Sequence, residues 1–368
     1  MKRIACKLAL CIILCGGLTG CGFKDIDKRF FAVSIAIDEP VNKERKYMVT
    51  IRLAIPSPEE KFGANNSILV TEENDSIAEA LRIVKSKIDK ELDLGHMKAI
   101  IIGESIAKKG EMQEICDWFF RRRDVQQIAW MGIGRPRAID VIKLEPNTER
   151  LPSNMLFMFF GETGTETGYV VSEYMFDFRR RLTERGIDPI LPVLEPRGGN
   201  QLTINRVALL DKKKQKLVLT PRETKIFNTF YQGTGKYDIR VNQGNDFFVI
   251  AAENVRSLFT IVPQADGKLK IKVRLKISGI IEETSKTHFR GDELHDLEKL
   301  AEQTVQERVQ LFLKKLQQSG VDPIGFGLRY RAQNWDRQKA WDEWQELYPS
   351  VEFEVIPHVN ITSTGVIS

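Results

Sequence analysis

Cys21 is the residue whose surroundings most clearly predict a chemical modification. It follows Leu18-Thr19-Gly20, and the residues before it carry three basic side chains within the first seven positions and an apolar run at 8–14. This arrangement is typical of a signal peptide that ends at a cysteine. Cleavage before Cys21 would leave its thiol free to carry diacylglycerol, as at a bacterial lipobox. The alternative is an ordinary secretory signal in which the cysteine is incidental.

A lipid on Cys21 is the predicted means of membrane attachment. The apolar run at 8–14 is much shorter than the ~20 residues that a membrane-spanning helix needs. Stable anchoring by lipid requires more than one acyl chain. We therefore predict a signal peptide at 1–20 and a mature N-terminus carrying diacylglycerol and a further acyl chain such as palmitate.

The residue types that usually perform catalysis are present without the spacing that catalysis requires. The glycine-rich segment 161–168, GETGTETG, lacks the lysine of a phosphate-binding loop. The four histidines, His96, His288, His295 and His358, form no metal-binding motif. No Gly-x-Ser-x-Gly elbow is present. The sequence predicts no catalytic residue, no cofactor and no metal site, and hence a protein that is not an enzyme.

Composition and charge restrict the class of partner. The chain is 42% hydrophobic and 29% charged, which is typical of a folded protein. Loss of residues 1–20 removes three basic residues and no acidic one, so the formal charge falls from +5 to +2. This near-neutral charge argues against nucleic acid as a partner. Cys116 is the only cysteine after Cys21, and we predict a buried apolar role for it rather than a nucleophilic one.

Hydrophobic periodicity predicts a sheet with packed helices in the first half of the chain. Alternation predicts a hairpin over 30–55 in which the second strand has one buried face. A capping box at Ser76 and Glu79 opens a helix that we expect to end at Gly95. Further strands are predicted at 98–104 and 128–134, and further helices from Ser105, from Pro136 and over about 167–185.

The segment 186–200 contains three prolines and three glycines and is the predicted domain boundary. We predict one or more N-terminal α+β domains over 22–195 and a C-terminal α+β domain over 200–368. A further split of the second part near residue 265 is an alternative. The predicted fold class is therefore a multi-domain α+β protein of mixed sheets with packed helices.

The second half begins with a helix whose start is well marked. Thr220-Pro-Arg-Glu223 places a cap, a proline and an acid at the favoured positions. Strands are predicted over about 237–242, 246–252, 255–262 and 269–277, the longest helix over 292–318, and an edge or bent strand at Pro357. Trp341, Trp344 and Tyr348 follow helical spacing, which favours core packing over a ligand platform that would also include Trp335.

One strand combines a hydrophobic face with a basic one. Residues 269–277 alternate aliphatic side chains with Lys270, Lys272, Arg274 and Lys276. The purely structural interpretation is a solvent-exposed strand whose lysines prevent pairing with strands of other chains. The alternative is contact with anionic lipid head groups or with an acidic partner surface.

Several of these segments together resemble the Ger(x)C family, the lipoprotein C subunits of spore germinant receptors. They are the lipobox, the opening strand 28–38, the segment 103–125 and, most specifically, the passage 321–365. The residues that carry the last resemblance are Asp322, Gly325, Phe326, Gly327, Trp335, Trp344, Val355, Val359, Ile361 and Gly365. Gly22-Phe23 and Asn334 depart from the Trp-Asp and the proline common in the family.

The resemblance implies a role in spore germination. It implies a non-enzymatic scaffold or signalling subunit, anchored by lipid to the outer face of the membrane, here the spore inner membrane. Its implied partners are an A-type subunit with a soluble domain and a transporter-like B-type subunit, in a receptor that responds to nutrients. The alternative is a solute-binding lipoprotein of a transporter, which would require two similar lobes around a cleft.

Overall fold

The computed structural model describes residues 26–55, 67–146, 153–161, 167–198, 200–233, 237–285 and 293–364, which form two sheets with helices packed on them. The first sheet contains β1 (Arg29–Asp38), β2 (Tyr47–Ala54), β3 (Ser67–Asn74), β4 (Glu91–Asp93), β5 (Ala99–Gly103), β6 (Trp130–Gly134), β7 (Ile190–Arg197), β8 (Gln201–Leu210) and β9 (Gln215–Val218). The second contains β10 (Tyr237–Gln243), β11 (Asp246–Pro263), β12 (Leu269–Thr284) and β13 (Glu352–Ser363). These mixed sheets with helices confirm the predicted α+β class.

The described part of the chain also contains ten α-helices and two short 3-10 helices, Ile26–Lys28 and Tyr348–Ser350. The α-helices are α1 (Ile77–Ser86), α2 (Glu104–Lys109), α3 (Met112–Arg121), α4 (Ala138–Ile142), α5 (Ser153–Phe160), α6 (Met175–Thr183), α7 (Pro221–Tyr231), α8 (Glu293–Gln318), α9 (Phe326–Gln333) and α10 (Arg337–Leu347). Among the residues that the structure describes, no helix has both the length and the apolar character needed to cross a bilayer.

The first sheet runs in the order β3-β2-β1-β5-β6-β7-β8-β9, with β4 beside β1. Its centre is parallel, because β1 pairs in parallel with β5, β5 with β6, and β6 with β7. Separate hydrophobic clusters cover its two faces. Strands that are covered on both faces are apolar throughout, which explains the continuous run Ala99-Ile-Ile-Ile-Gly103 in β5.

The predicted hairpin is confirmed, since β1 and β2 pair antiparallel. The prediction that β2 buries one face is wrong. Thr50 and Arg52, on its polar face, are 0% and 2% exposed. Arg52 donates from Nε to the carbonyl of Ile142 at 2.8 Å, because the end of α4 lies over that face and supplies acceptors for the buried guanidinium.

Three predicted helices have different bounds in the structure. The Ser76 side chain does accept from Glu79 N at 3.1 Å, but α1 ends at Ser86 rather than at Gly95. The helix expected from Ser105 is divided into α2 and α3 at Gly110, whose φ of 105° is incompatible with a continuing helix. The helix expected from about 167 begins at Met175.

The first sheet continues across the predicted domain boundary. β7 and β8 pair antiparallel on either side of residues 198–200, and β9 follows β8 in the same sheet. The alternative boundary near 265 lies in the turn between β11 and β12, which also pair antiparallel. The division at 195 to 200 stays a prediction about the chain's domains.

The second sheet runs in the order β10-β11-β12-β13 and packs one face against α8. The predicted capping box of α7 is confirmed, because Glu223 N donates to Thr220 Oγ1 and Thr220 N donates to Glu223 Oε2. β13 lies at the edge of the sheet, as its proline predicts. Trp344 and Tyr348 are buried in the core, whereas Trp335 is fully exposed.

Candidate functional site

The joint between the two sheets contains the most unusual chemistry in the described structure. We use "the joint" for residues 173–188, 212, 231 and 320–348, where the end of α6 meets the loop before α9. Asp188 N donates to Asp322 O at 2.9 Å, and Asp322 N donates to Asp188 Oδ2 at 2.7 Å. This reciprocal pair fixes the two segments against each other.

Asp322 closes the loop that leads into α9. Its carboxylate accepts from Gly325 N at 2.8 Å, from Phe326 N at 3.1 Å and from Gly327 N at 2.7 Å. The side chain is 5% exposed. Burial raises the pKa of Asp322 to about 7, against the lowering effect of the three N–H donors. A carboxylate in this position organises the local backbone and presents no free oxygen for catalysis.

Two glycines allow the backbones and an indole ring to approach closely. A Cβ on Gly186, whose φ is 88°, would lie 2.4 Å from Leu328 N. A Cβ on Gly327 would lie 2.4 Å from Trp344 Nε1. Trp344 stacks on Tyr348, and Tyr348 donates from its hydroxyl to Val321 O at 2.9 Å. The glycines and aromatic residues of this passage therefore form one packed unit.

A buried ion pair links α6 to the same loop. Arg181 donates from Nη1 to Pro323 O at 3.0 Å, and its Nε lies 3.4 Å from Glu173 Oε1. Tyr231, at the end of α7, donates its hydroxyl to Glu173 Oε2. Glu173 is 0% exposed, and burial raises its pKa to about 7. Residues from two helices, α6 and α7, and from two loops thus share one charged cluster.

Lys212 caps the C-terminal end of α6 from the neighbouring strand connection. Its Nζ donates to the carbonyls of Arg181, Glu184 and Ile187, the second at 2.7 Å. Asp188 Oδ1 lies 3.8 Å away. Burial lowers the pKa of Lys212, but the carbonyls and the helix dipole favour its charged form. The amine is thus fully occupied in holding the chain.

A pocket of about 490 Å³ lies beside the joint, lined in part by Asp188, Lys212, Trp341 and Tyr348. Of the charged side chains that border it, Asp188, Asp211, Lys212 and Asp322 are already paired within the protein. Trp341 is half-buried there, so the predicted aromatic stripe contributes to packing. The joint is suited to fixing and coupling the two sheets rather than to bond-making chemistry.

The other predicted residues are placed apart from the joint. Cys21, His288 and most of the segment 161–168 lie outside the described residues. His96, His295 and His358 are exposed at separate places. Cys116 is 1% exposed and burial raises its pKa, which confirms a buried thiol. Among the described residues no group of three or more potential metal ligands occurs.

Sequence reasoning did not find the other buried charged residues of the joint. Glu173, Arg181 and Lys212 lie in segments that read as ordinary polar surface, and Lys212 belongs to the charged run 211–216. Burial of such residues requires partners from distant parts of the chain. No local pattern signals those partners.

Comparison with known proteins connects this joint to a family. A model described as "Spore germination protein N-terminal domain" matches residues 22–196. A second, described as "Spore germination B3/ GerAC like, C-terminal", matches residues 205–365. The chain belongs to the Ger(x)C family of spore germination proteins. Asp322, Gly325–Gly327 and Trp344, which belong to the joint, lie within the range matched by the second model.

Ger(x)C relatives match along almost the whole chain. "Putative spore germination protein YfkR" of Bacillus subtilis (strain 168) is 24% identical over 399 residues, which cover 100% of this chain and 98% of that protein. "Spore germination protein GerQC" of Bacillus cereus is 25% identical, with 78% of this chain and 80% of that protein covered. None of these names describes an enzyme.

A solved Ger(x)C structure has the same fold. The "Crystal Structure of the GerBC protein" matches with a TM-score of 0.58 at 18% identity, covering 92% of this chain and 100% of that chain. At this identity the match supports the fold alone. The family membership therefore depends on the sequence models, and the architecture is common to both chains.

Proposed function

We propose that this protein is the C subunit of a nutrient germinant receptor, tethered by lipid on Cys21 to the outer face of the spore inner membrane. It acts there as a non-enzymatic scaffold or signalling component beside an A-type and a transporter-like B-type subunit. The observation that carries the proposal is the match of two spore germination models to residues 22–196 and 205–365. The names of the relatives, which describe spore germination proteins, support it.

The geometry of the joint supports a scaffold role. The side chains of Asp322, Arg181 and Lys212 form hydrogen bonds with the protein's own backbone. Such a connection holds the two sheets in a fixed relative position. A subunit that passes a conformational change from one partner to another needs this rigidity. The two sheets differ in size and topology, which offers no support for two similar lobes of a solute-binding protein.

A single substitution, Cys21→Ala, tests both lipid attachment and receptor function. The variant is expressed in spores that lack the native gene, with Cys15→Ala as the matched control inside the predicted signal peptide. We expect labelling by a palmitate analogue and recovery in the membrane fraction to be lost in Cys21→Ala and retained in Cys15→Ala. Loss of optical density on nutrient addition is the functional readout.

The strain that lacks the native gene tests the receptor role. We expect its spores to lose the response to at least one nutrient, and the wild-type gene to restore it. A deletion strain that responds normally to every nutrient would contradict the receptor role. Equal labelling of the Cys21→Ala variant and the wild type would contradict the lipid tether.

A further inference from the structure

The second sheet has one covered face and one open face. Ile271, Val273 and Leu275, which alternate along β12, are at most 2% exposed and belong to the core beneath α8. The residues between them point the other way and reach solvent. The sheet is mixed, because β12 pairs antiparallel with β11 and parallel with β13, and one solvent-exposed face is ordinary for such a sheet. The types of residue on this solvent-exposed face indicate what it could bind.

We use "the outer face" for the open side of β11, β12 and β13. Leu258, Arg274 and Ile356 stand directly opposite one another across the three strands. Leu258 is 71% exposed and Ile356 is 40% exposed. Arg256 and Lys276 form the adjacent row. Two exposed aliphatic side chains therefore lie beside three cations on the open side of the sheet.

The three cations of the outer face are not neutralised by the protein. Within the described residues, the side chains of Arg256, Arg274 and Lys276 make no hydrogen bond or ion pair. Lys270 and Lys272, on the same strand, differ from them. Lys270 Nζ lies 3.6 Å from Glu352 Oε2, and Lys272 Nζ lies 3.4 Å from Glu354 Oε2. The unpaired charge is thus confined to the middle of the face.

We propose that the outer face binds an acidic patch on a partner protein, with Leu258 and Ile356 packing into apolar depressions beside the carboxylates. The charge along the strands favours a bounded acidic patch. Exposed Glu253 and Glu282 lie toward one end and Glu352 toward the other. A uniformly anionic lipid surface would repel these carboxylates. A protein surface can instead place acidic groups opposite the cations and basic or neutral groups opposite the carboxylates.

This inference rests on the proposed function, which supplies the partners to be tested. A- and B-type subunits are co-expressed with the full chain and recovered with it from detergent extract. The test variant is Arg256→Glu/Arg274→Glu/Lys276→Glu. The matched control is Lys43→Glu/Arg82→Glu/Lys85→Glu, which makes the same charge change at exposed positions of the first half. Binding of each chain to phosphatidylglycerol vesicles is measured in parallel.

We expect the test variant to recover about tenfold less of a partner subunit than wild type, and the control variant to recover the wild-type amount. Wild-type recovery should fall as salt is raised. The melting temperature should be unchanged, because all three side chains are exposed, and it reports misfolding independently. A variant that melts lower is replaced by Arg256→Ala/Lys276→Ala, for which the same loss in recovery is expected.

Three outcomes would overturn the inference. Equal recovery with the test variant and the wild type leaves the proposed function intact and removes the outer face as the contact. Loss of vesicle binding with unchanged subunit recovery assigns the face to lipid instead. Recovery of neither subunit with the wild-type chain contradicts the proposed function and, with it, this inference.

Discussion

Asp322 shows how a single buried carboxylate can organise a loop. Both of its oxygens accept hydrogen bonds from the backbone, namely from the N–H groups of Gly325, Phe326 and Gly327. An isolated charge in this position would be costly, and three donors in fixed positions offset much of that cost. The residue therefore stabilises the loop through hydrogen bonds that only a carboxylate can accept together.

Asp322→Asn should destabilise the protein, because the new amide NH₂ would face a backbone donor. The expected loss is about 1–3 kcal/mol of unfolding free energy, measured by urea denaturation. Asp336→Asn is the matched control. Asp336 accepts from Gln338 N and Lys339 N at the exposed start of α10, where asparagine caps equally well. Equal midpoints for the two variants would be inconsistent with the role given to Asp322.

At the scale of elements, α8 protects the edge of the second sheet. Glu302 accepts from Val359 N at 3.0 Å and Glu298 accepts from Ile361 N at 2.9 Å, both along the free edge of β13. On the other side of the sheet, Arg308 donates from Nη2 to the carbonyl of Arg240 in β10. One helix thus reaches both outer strands, which limits pairing with other chains.

Glu298→Ala/Glu302→Ala should uncover two edge N–H groups. At about 0.5–1.5 kcal/mol for each lost hydrogen bond, we expect a loss of about 1–3 kcal/mol in stability and greater self-association. Light scattering after incubation at raised temperature reports association, and urea denaturation reports stability. Glu298→Gln/Glu302→Gln keeps an acceptor oxygen at each site and should remain monodisperse. Association of both variants to the same extent would argue against edge protection.

At the scale of the whole molecule, two buried carboxyl groups couple the joint to pH. Burial raises the pKa of Glu173 and that of Asp322, each to about 7. A carboxyl whose pKa is higher in the folded state than in the unfolded chain binds more protons when folded. Its contribution to stability is complete below about pH 4 and is lost as the pH rises through about 7.

Glu173→Gln should remove one of these titrations. Relative to the variant, the wild type is expected to lose stability between about pH 4.5 and pH 7, by up to about 1.4 kcal/mol per pH unit in the steepest part. Urea denaturation at several pH values gives this difference. Glu44→Gln, at an exposed site, controls for loss of a carboxylate. A difference between wild type and Glu173→Gln that is constant over this range would contradict the linkage.

The sequence alone determined the local elements with strong signals. The capping box at Thr220 and Glu223, the alternation at 269–277 and the longest helix were all predictable, because caps and periodicity act within a few residues. The passage 321–365 likewise pointed to the family before any fold was known. The sequence of this passage did not explain why Asp322, the segment 325–327 and Trp344 contact one another in the fold.

Tertiary structure decided everything that depends on distant partners. Arg52 lies on the polar side of an alternating strand, yet it is buried because α4 covers that side. Lys212, inside a charged run, is held by the carbonyls at the end of α6. Whether a charge can be buried depends on which acceptors surround it, and those acceptors come from segments far away in sequence. Local pattern can therefore place a helix or a strand, but the joint and the outer face exist only in the assembled fold.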